Sequence, residues 1–215
     1  MGSLVKVTGA GDRGKMSTTL LFLGDSITGY SDLVHYLKFS HLIELMLEAQ
    51  YGEGQFKVLN CGYGGDTTAR VLARLEREVL AERPEIVVLL IGGNDAGEQV
   101  PRATTARNLQ TILTALAEIN ARVLVLQYHL LPNPESPEVA WSHLATNNDL
   151  IAEAAVAQGM PLLHMQTPMQ AALATYQLAE LVSPGDGVHL NPGGELVYAR
   201  AIFTRLRELG WLKAD

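Results

Sequence analysis

One stretch, Ile86-Val87-Val88-Leu89-Leu90-Ile91, constrains the fold more than any other. It is continuously apolar, with four of its six residues β-branched, and has Pro84 before it and Gly92-Gly93-Asn94-Asp95 after it. A strand with one face in water alternates polar and apolar residues, whereas a strand covered on both faces does not. The run therefore predicts a central strand of a parallel sheet, packed between helices. It is far too short to cross a bilayer.

The remaining chain repeats that plan. Leu20–Leu23 reads as a strand that runs into Gly24-Asp25-Ser26. Phe56–Asn60 reads as a second strand that breaks at Gly62-Tyr63-Gly64-Gly65-Asp66, and Val123–Gln127 and Pro161–His164 supply two more. Helix patterns lie between them. The first places Val34, Leu37, His41/Leu42, Leu45 and Ala49 on one face, and the second, ending near Ala81, does the same with Val71, Leu72, Leu75 and Val79. Others cover Thr104–Ile119 and Ser142–Gln158, with a weaker one from Met169 to Leu178. The last helix has Asn191 as its cap and Pro192 in its first turn, where a missing N–H costs nothing. Strands alternating with crossover helices predict a three-layer α/β/α fold. The expected sheet is flavodoxin-like, with five parallel strands in the order 2-1-3-4-5. No repeat or linker breaks the pattern, so residues 18–215 are expected to form a single domain. Residues 1–17 read as a flexible or vector-derived tail.

Composition removes several classes of function. The 215 residues carry a formal net charge of -7, which argues against a broad basic surface for nucleic acid. The single cysteine, Cys61, excludes an internal disulfide and a multi-cysteine metal site. The first residues hold no long apolar stretch, so no secretory signal is visible and the cytoplasm is the default location. Gly9-Ala10-Gly11-Asp12-Arg13-Gly14-Lys15 imitates a phosphate-binding loop. Met16 stands where a magnesium-binding Ser or Thr belongs, and a strand follows where a helix should.

The glycine-rich breaks all fall at the carboxyl ends of the first three strands, where open α/β sheets bind ligands. Ser26, Gly65 and Asn94 are thereby expected to meet. A serine on a tight turn there is available as a nucleophile, although Gly-Asp-Ser is equally compatible with a plain turn. The N–H of Gly65 and the amide of Asn94 suit an oxygen that becomes negative in a transition state. Six histidines are present. His189 stands apart from the others, because Asp186 precedes it by three residues in an irregular segment before a capped helix. That spacing lets the carboxylate meet Nδ1–H and leaves Nε2 for a serine proton.

The same residues carry a family resemblance. Gly24-Asp25-Ser26-Ile27-Thr28 resembles block I of the SGNH (GDSL-type) hydrolases, with Ile27 where the family name has Leu. Asn60-Cys61-Gly62-Tyr63-Gly64-Gly65-Asp66-Thr67-Thr68 resembles block II, Gly92-Gly93-Asn94-Asp95 block III, and Asp186-Gly187-Val188-His189 block V. The blocks keep the family order. The resemblance implies ester hydrolysis through an acyl-enzyme, without a metal or other cofactor. It implies Ser26 as nucleophile, His189 as general base and then acid, and Asp186 as its orienting partner. The Ser26 N–H, Gly65 N–H and Asn94 amide would form the oxyanion hole. Asp25 is expected mainly to shape the turn.

The expected substrate is a small-molecule or carbohydrate ester with a short acyl group, and a carbohydrate O-deacetylase is the narrower form of that expectation. A lysophospholipase or thioesterase of the same family is the alternative. The connection Gly29–Ser40 and the loop Tyr128–Trp141 are expected to wall the pocket. Asp25, Tyr30, Tyr128, His129 and Trp141 are the candidates for contact with substrate. Two other classes remain compatible with the residues. Asp25, Asp66, Asp95, Asp186 and His189 could hold a divalent metal for phosphoester cleavage. The strand-end turns could also cradle a flavin phosphate.

Overall fold

Five parallel strands lie side by side in the order β2-β1-β3-β4-β5. They are β1 (Thr18–Gly24), β2 (Phe56–Gly62), β3 (Ile86–Leu90), β4 (Arg122–Gln127) and β5 (Leu162–His164). The architecture comes from a computed structural model, which describes residues 17–29, 37–131 and 141–213. The helices are α1 (Phe39–Tyr51), α2 (Thr68–Glu78), α3 (Gly93–Gly97), α4 (Arg102–Glu118), α5 (Trp141–Ala157), α6 (Gln166–Ala172), α7 (Leu178–Leu181) and α8 (Pro192–Glu208). The expected strand order and layering are those observed.

Burial explains why β3 is central. All five of its residues are buried, as are Leu20 to Leu23 of β1 and Val123 to Leu126 of β4. Each such aliphatic side chain contributes roughly 1.5–3 kcal/mol of transfer free energy. The register sets Gly24 opposite both Gly62 and Leu90, so β1, β2 and β3 end together at one edge. There the chains touch backbone to backbone. A Cβ on Gly62 would stand 2.7 Å from the Gly29 Cα, too close for any other residue at that position.

Several helices depart from the periodicity reading. The buried positions of α1 are Phe39, Ser40, Ile43 and Leu47, while Leu45 is 48% exposed. Leu42, Ile43, Leu45, Met46 and Leu47 are all apolar, so two helix faces fit the pattern, and packing against β2 and α8 selects the other one. The start proposed at Val34 lies outside the described residues. α2 stops at Glu78, and a single tight turn, Leu80–Glu82, completes the stretch to the strand. The weak helix expected near Met169 resolves into α6 and α7. Asn191 does occupy the cap position of α8. Its side chain, however, turns back to donate to the carbonyls of Ala179 and Val182 instead of capping the helix.

Candidate active site

The site is built on the turn that ends β1. Gly29 N–H donates to the Asp25 carbonyl at 2.7 Å, and Ile27 N–H donates to Asp25 Oδ1 at 3.0 Å, so residues 25–29 coil into one tight turn. Within it Ser26 is half-buried while its neighbours are buried. Three groups from elsewhere hold the turn. Tyr63 N–H donates to the Gly24 carbonyl, Asn60 Nδ2 to the Thr28 carbonyl and Lys38 Nζ to the Ile27 carbonyl, at 3.0, 2.8 and 3.0 Å.

The second part is the segment before α8. Val182 and Leu190 form an antiparallel bridge, and Ser183 N–H donates to the His189 carbonyl, which closes a small loop. Within that loop Asp186 Oδ1 accepts the backbone N–H groups of Val188 and His189. Asp186 Oδ2 lies 2.8 Å from His189 Nδ1, and His189 Nε2 lies 2.7 Å from Ser26 Oγ. With Nδ1–H donating to the carboxylate, Nε2 accepts the serine proton. Burial tends to raise the Asp186 carboxyl, but the hydrogen bonds from the His189 ring and the two N–H groups hold it below the usual carboxylate value.

The third part comes from the ends of β2 and β3. Gly65 has φ +76°, in the left-handed region, and its turn passes Ser26: a Cβ on Gly64 would lie 4.0 Å from the Ser26 Cβ. Asn94 lies in the first turn of α3. One hydrogen of its amide goes to the Asp66 carbonyl at 2.8 Å, which ties the two turns together. The structure thus brings Ser26, Gly65, Asn94, Asp186 and His189 to one sheet edge.

Other candidates are not surface groups. Asp25, Tyr128 and His129 are at most 3% exposed, so they lie beneath the site and not on its surface. Tyr30 lies outside the described residues, as do the side chain of Trp141 and much of both expected pocket walls. Asp66 and Asp95 are also engaged: Asp66 pairs with Arg74, and Asp95 accepts the Thr68 N–H at 2.8 Å that starts α2. Among the described residues, no three His, Cys, Asp or Glu side chains converge as a metal site would require. An apolar groove of 660 Å³ between β5, α6 and α8 shares no residue with this site.

Two buried groups give the site opposite pH dependences. Burial raises the Asp25 carboxyl from 3.8 to about 6, against the pull of the Tyr128 hydroxyl and the Ile27 N–H. The folded state then holds this proton more tightly than the unfolded chain, so Asp25 weakens the fold as pH rises from about 4 to about 6. Burial lowers His129 from 6.5 to about 4, so the stability from keeping it neutral is lost as pH falls through that range. The two effects oppose each other. Asp25→Asn removes the first alone. From pH 7 to pH 4 the wild type is expected to gain roughly 3 kcal/mol on that variant, at 1.36 kcal/mol per pKa unit. Urea unfolding of both proteins across the range measures the difference, and a pH-independent gap would refute it.

Residues 22–196 match the GDSL-like lipase/acylhydrolase family. The chain belongs to that family. This GDSL-like protein is 34% identical over 116 residues to esterase TesA of Pseudomonas aeruginosa, covering 54% of this chain and 56% of that protein. It therefore spans little more than half the length of that relative. It matches an acetylxylan esterase of Geobacillus stearothermophilus at 26% identity over 220 residues, covering 91% of this chain and 96% of the other. The crystal structure of Axe2, an acetylxylan esterase from the same organism, superposes with a TM-score of 0.73 at 22% identity, covering 94% and 100% of the two chains. At that identity the superposition speaks for the fold. The Asp186–His189 loop and the Ser26 turn both fall inside the matched segment of this family member.

No helix among the described residues of this GDSL-like protein is long and apolar enough to cross a membrane. Sequence reasoning missed Lys38 and Glu195. Lys38 donates to Glu195 at 2.6 Å as well as to the Ile27 carbonyl, and both side chains are buried. Lys38 stands just before α1 and Glu195 in the first turn of α8, and nothing local in the sequence pairs them.

Proposed function

We propose that this protein is a carboxylic ester hydrolase that acts through an acyl-Ser26 intermediate. The observation that carries the reading is the chain Ser26 Oγ, His189, Asp186, with links of 2.7 and 2.8 Å. Ser26 Oγ attacks the acyl carbon while His189 Nε2 takes its proton, and the imidazolium then passes that proton to the departing alkoxide. Asp186 keeps His189 in the tautomer that presents a free Nε2. Water attacks the acyl-enzyme by the same path in reverse. The Ser26 and Gly65 N–H groups and the second hydrogen of the Asn94 amide receive the oxyanion. No step calls for a metal or a cofactor.

The substrate reading is a short acyl group, acetyl above all, on a carbohydrate or other small alcohol. It is supported by the near full-length match to an acetylxylan esterase. The family alternative, a longer acyl chain or a thioester, draws on the match to esterase TesA. The test is to mix the protein with a chromogenic acetate ester, with and without a chelator, and to quench early. Mass spectrometry of the digest is expected to find one acetyl group on the Ser26 peptide, with turnover insensitive to the chelator. Turnover with no Ser26 adduct, or turnover lost to the chelator, would overturn the mechanism. Rates that peak at long acyl chains would overturn the acetyl preference.

A further inference from the structure

A buried hydroxyl joins the two halves of the site. Tyr128 follows β4 and is 1% exposed. Its hydroxyl donates to Asp25 Oδ2 and accepts the Gly93 N–H at 3.0 Å. Asp25 precedes Ser26 in the chain, and Gly93 precedes Asn94. One hydroxyl group therefore spans from the Ser26 turn to the Asn94 turn, with a single atom between a carboxylate and a backbone amide.

The tyrosine is itself held rigidly. Its N–H donates to Asn148 Oδ1 at 2.9 Å, and its carbonyl accepts from Asn148 Nδ2 at 3.1 Å. Asn147, the preceding residue on α5, donates to the Gly92 carbonyl at 2.7 Å. The end of β3 is thus fixed from α5 by two routes, one direct and one through Tyr128. The Ser26 turn meets the same hydroxyl through Asp25 Oδ2, beside the pairing of Gly24 with Leu90 in the sheet.

We propose that Tyr128 is a positioning residue for acyl transfer, whose hydroxyl sets the separation between the Ser26 nucleophile and the Asn94 oxyanion donor. The inference rests on the reading of Ser26 and Asn94 given above. The donor must sit within a few tenths of an ångström of the developing oxyanion to stabilise it. Without the hydroxyl, Asp25 Oδ2 and the Gly93 N–H are both buried and unpaired, and each turn must shift to find a partner. A displacement of about 1 Å costs on the order of a hundredfold in rate.

Tyr128→Phe keeps the ring and removes the hydroxyl. The variant is expected to unfold cooperatively, to lose roughly ten- to a hundredfold in kcat on an acetate ester, and to keep KM within about twofold. The deciding comparison uses Asn94→Ala as a second background. Where the displaced donor is already gone, the same Tyr128→Phe substitution is expected to cost less than about threefold. Equal losses in the two backgrounds would assign Tyr128 to general stability and overturn the proposal, as would an unchanged kcat. If Tyr128→Phe does not fold, Asp25→Ala breaks the same link from the other end, because it removes the acceptor of the Tyr128 hydroxyl, and the same comparison of backgrounds applies with the same two outcomes. The acetyl-adduct measurement separates failures: an unlabelled Ser26 sinks the acyl-enzyme reading, whereas a labelled Ser26 with wild-type kcat in Tyr128→Phe sinks only this inference.

Discussion

Ser26→Ala is expected to lower kcat on a chromogenic acetate ester by on the order of 10⁵- to 10⁶-fold with little change in stability. The hydroxyl is the only atom removed, and its hydrogen bond is to His189 Nε2. Ser26 is half-buried, so water replaces that bond at small cost. His189→Ala in the same background is expected to add almost nothing, because a nucleophile and its base act as one unit and their losses do not add. Asp186→Asn is expected to cost about 10⁴-fold alone: an amide nitrogen facing Nδ1 favours the tautomer in which Nε2 carries the hydrogen and cannot accept the serine proton. Initial rates, with spontaneous hydrolysis subtracted, measure all three. A Ser26→Ala protein within tenfold of the wild type would refute the assignment.

The strands were legible because their physics is local. A run buried on both faces must be apolar throughout, and Ile86–Leu90 and Leu20–Leu23 are. Helices were legible as elements but less so as faces. In α1 the apolar residues outnumber the positions that one face can bury, so only packing decides that Ile43 is covered and Leu45 is not. The five-residue α3 was not foreseen at all. It is too short to show a period, and its start at Gly93 looked like a plain turn.

The site divides in the same way. Asp186 and His189 are three residues apart, so one loop can bring them together, and that loop was visible as a motif. The positions of Gly65 and Asn94 followed from strand order, because parallel strands share a carboxyl edge. The groups beneath were not legible. Tyr128 meets Asp25 across 103 residues, and Lys38 meets Glu195 across 157. A polar residue carries no mark of a distant partner. Tyr128 and His129, lying at a strand end beside a proline-rich loop, looked like pocket lining. The fold instead turns both inward, where His129 Nδ1 lies 2.7 Å from the Tyr198 hydroxyl on α8.

Lys38→Met is expected to destabilise the protein by roughly 3–5 kcal/mol at pH 7. Both partners are at most 1% exposed, so the loss leaves the Glu195 carboxylate charged and without its cation in the interior. Among the described residues, the Phe39 N–H at 2.8 Å is the partner that remains to it. At roughly 2–4 °C per kcal/mol for a chain of this size, the loss corresponds to a drop of about 10 °C in Tm. The pH dependence has a definite sign. Burial already raises the Glu195 carboxyl, and the Lys38 charge opposes that rise, so removing Lys38 raises it further. A carboxyl whose folded pKa lies above its unfolded value weakens the fold as pH rises, so the variant is expected to lose less at pH 5 than at pH 8. Lys38→Met/Glu195→Leu is expected to be more stable than Lys38→Met, because an apolar pair carries no desolvation cost. It still falls short of the wild type, since the Phe39 N–H and the Ile27 carbonyl are left unpaired at about 1–3 kcal/mol each. Ile27 follows Ser26 directly, so the double variant also isolates what the ion pair does for the nucleophile turn. Urea unfolding at the two pH values, with kcat on the same samples, measures both. A Lys38→Met protein as stable as the wild type, or a double variant no better than the single one, would show that the pair is not what ties the Ser26 turn to α8.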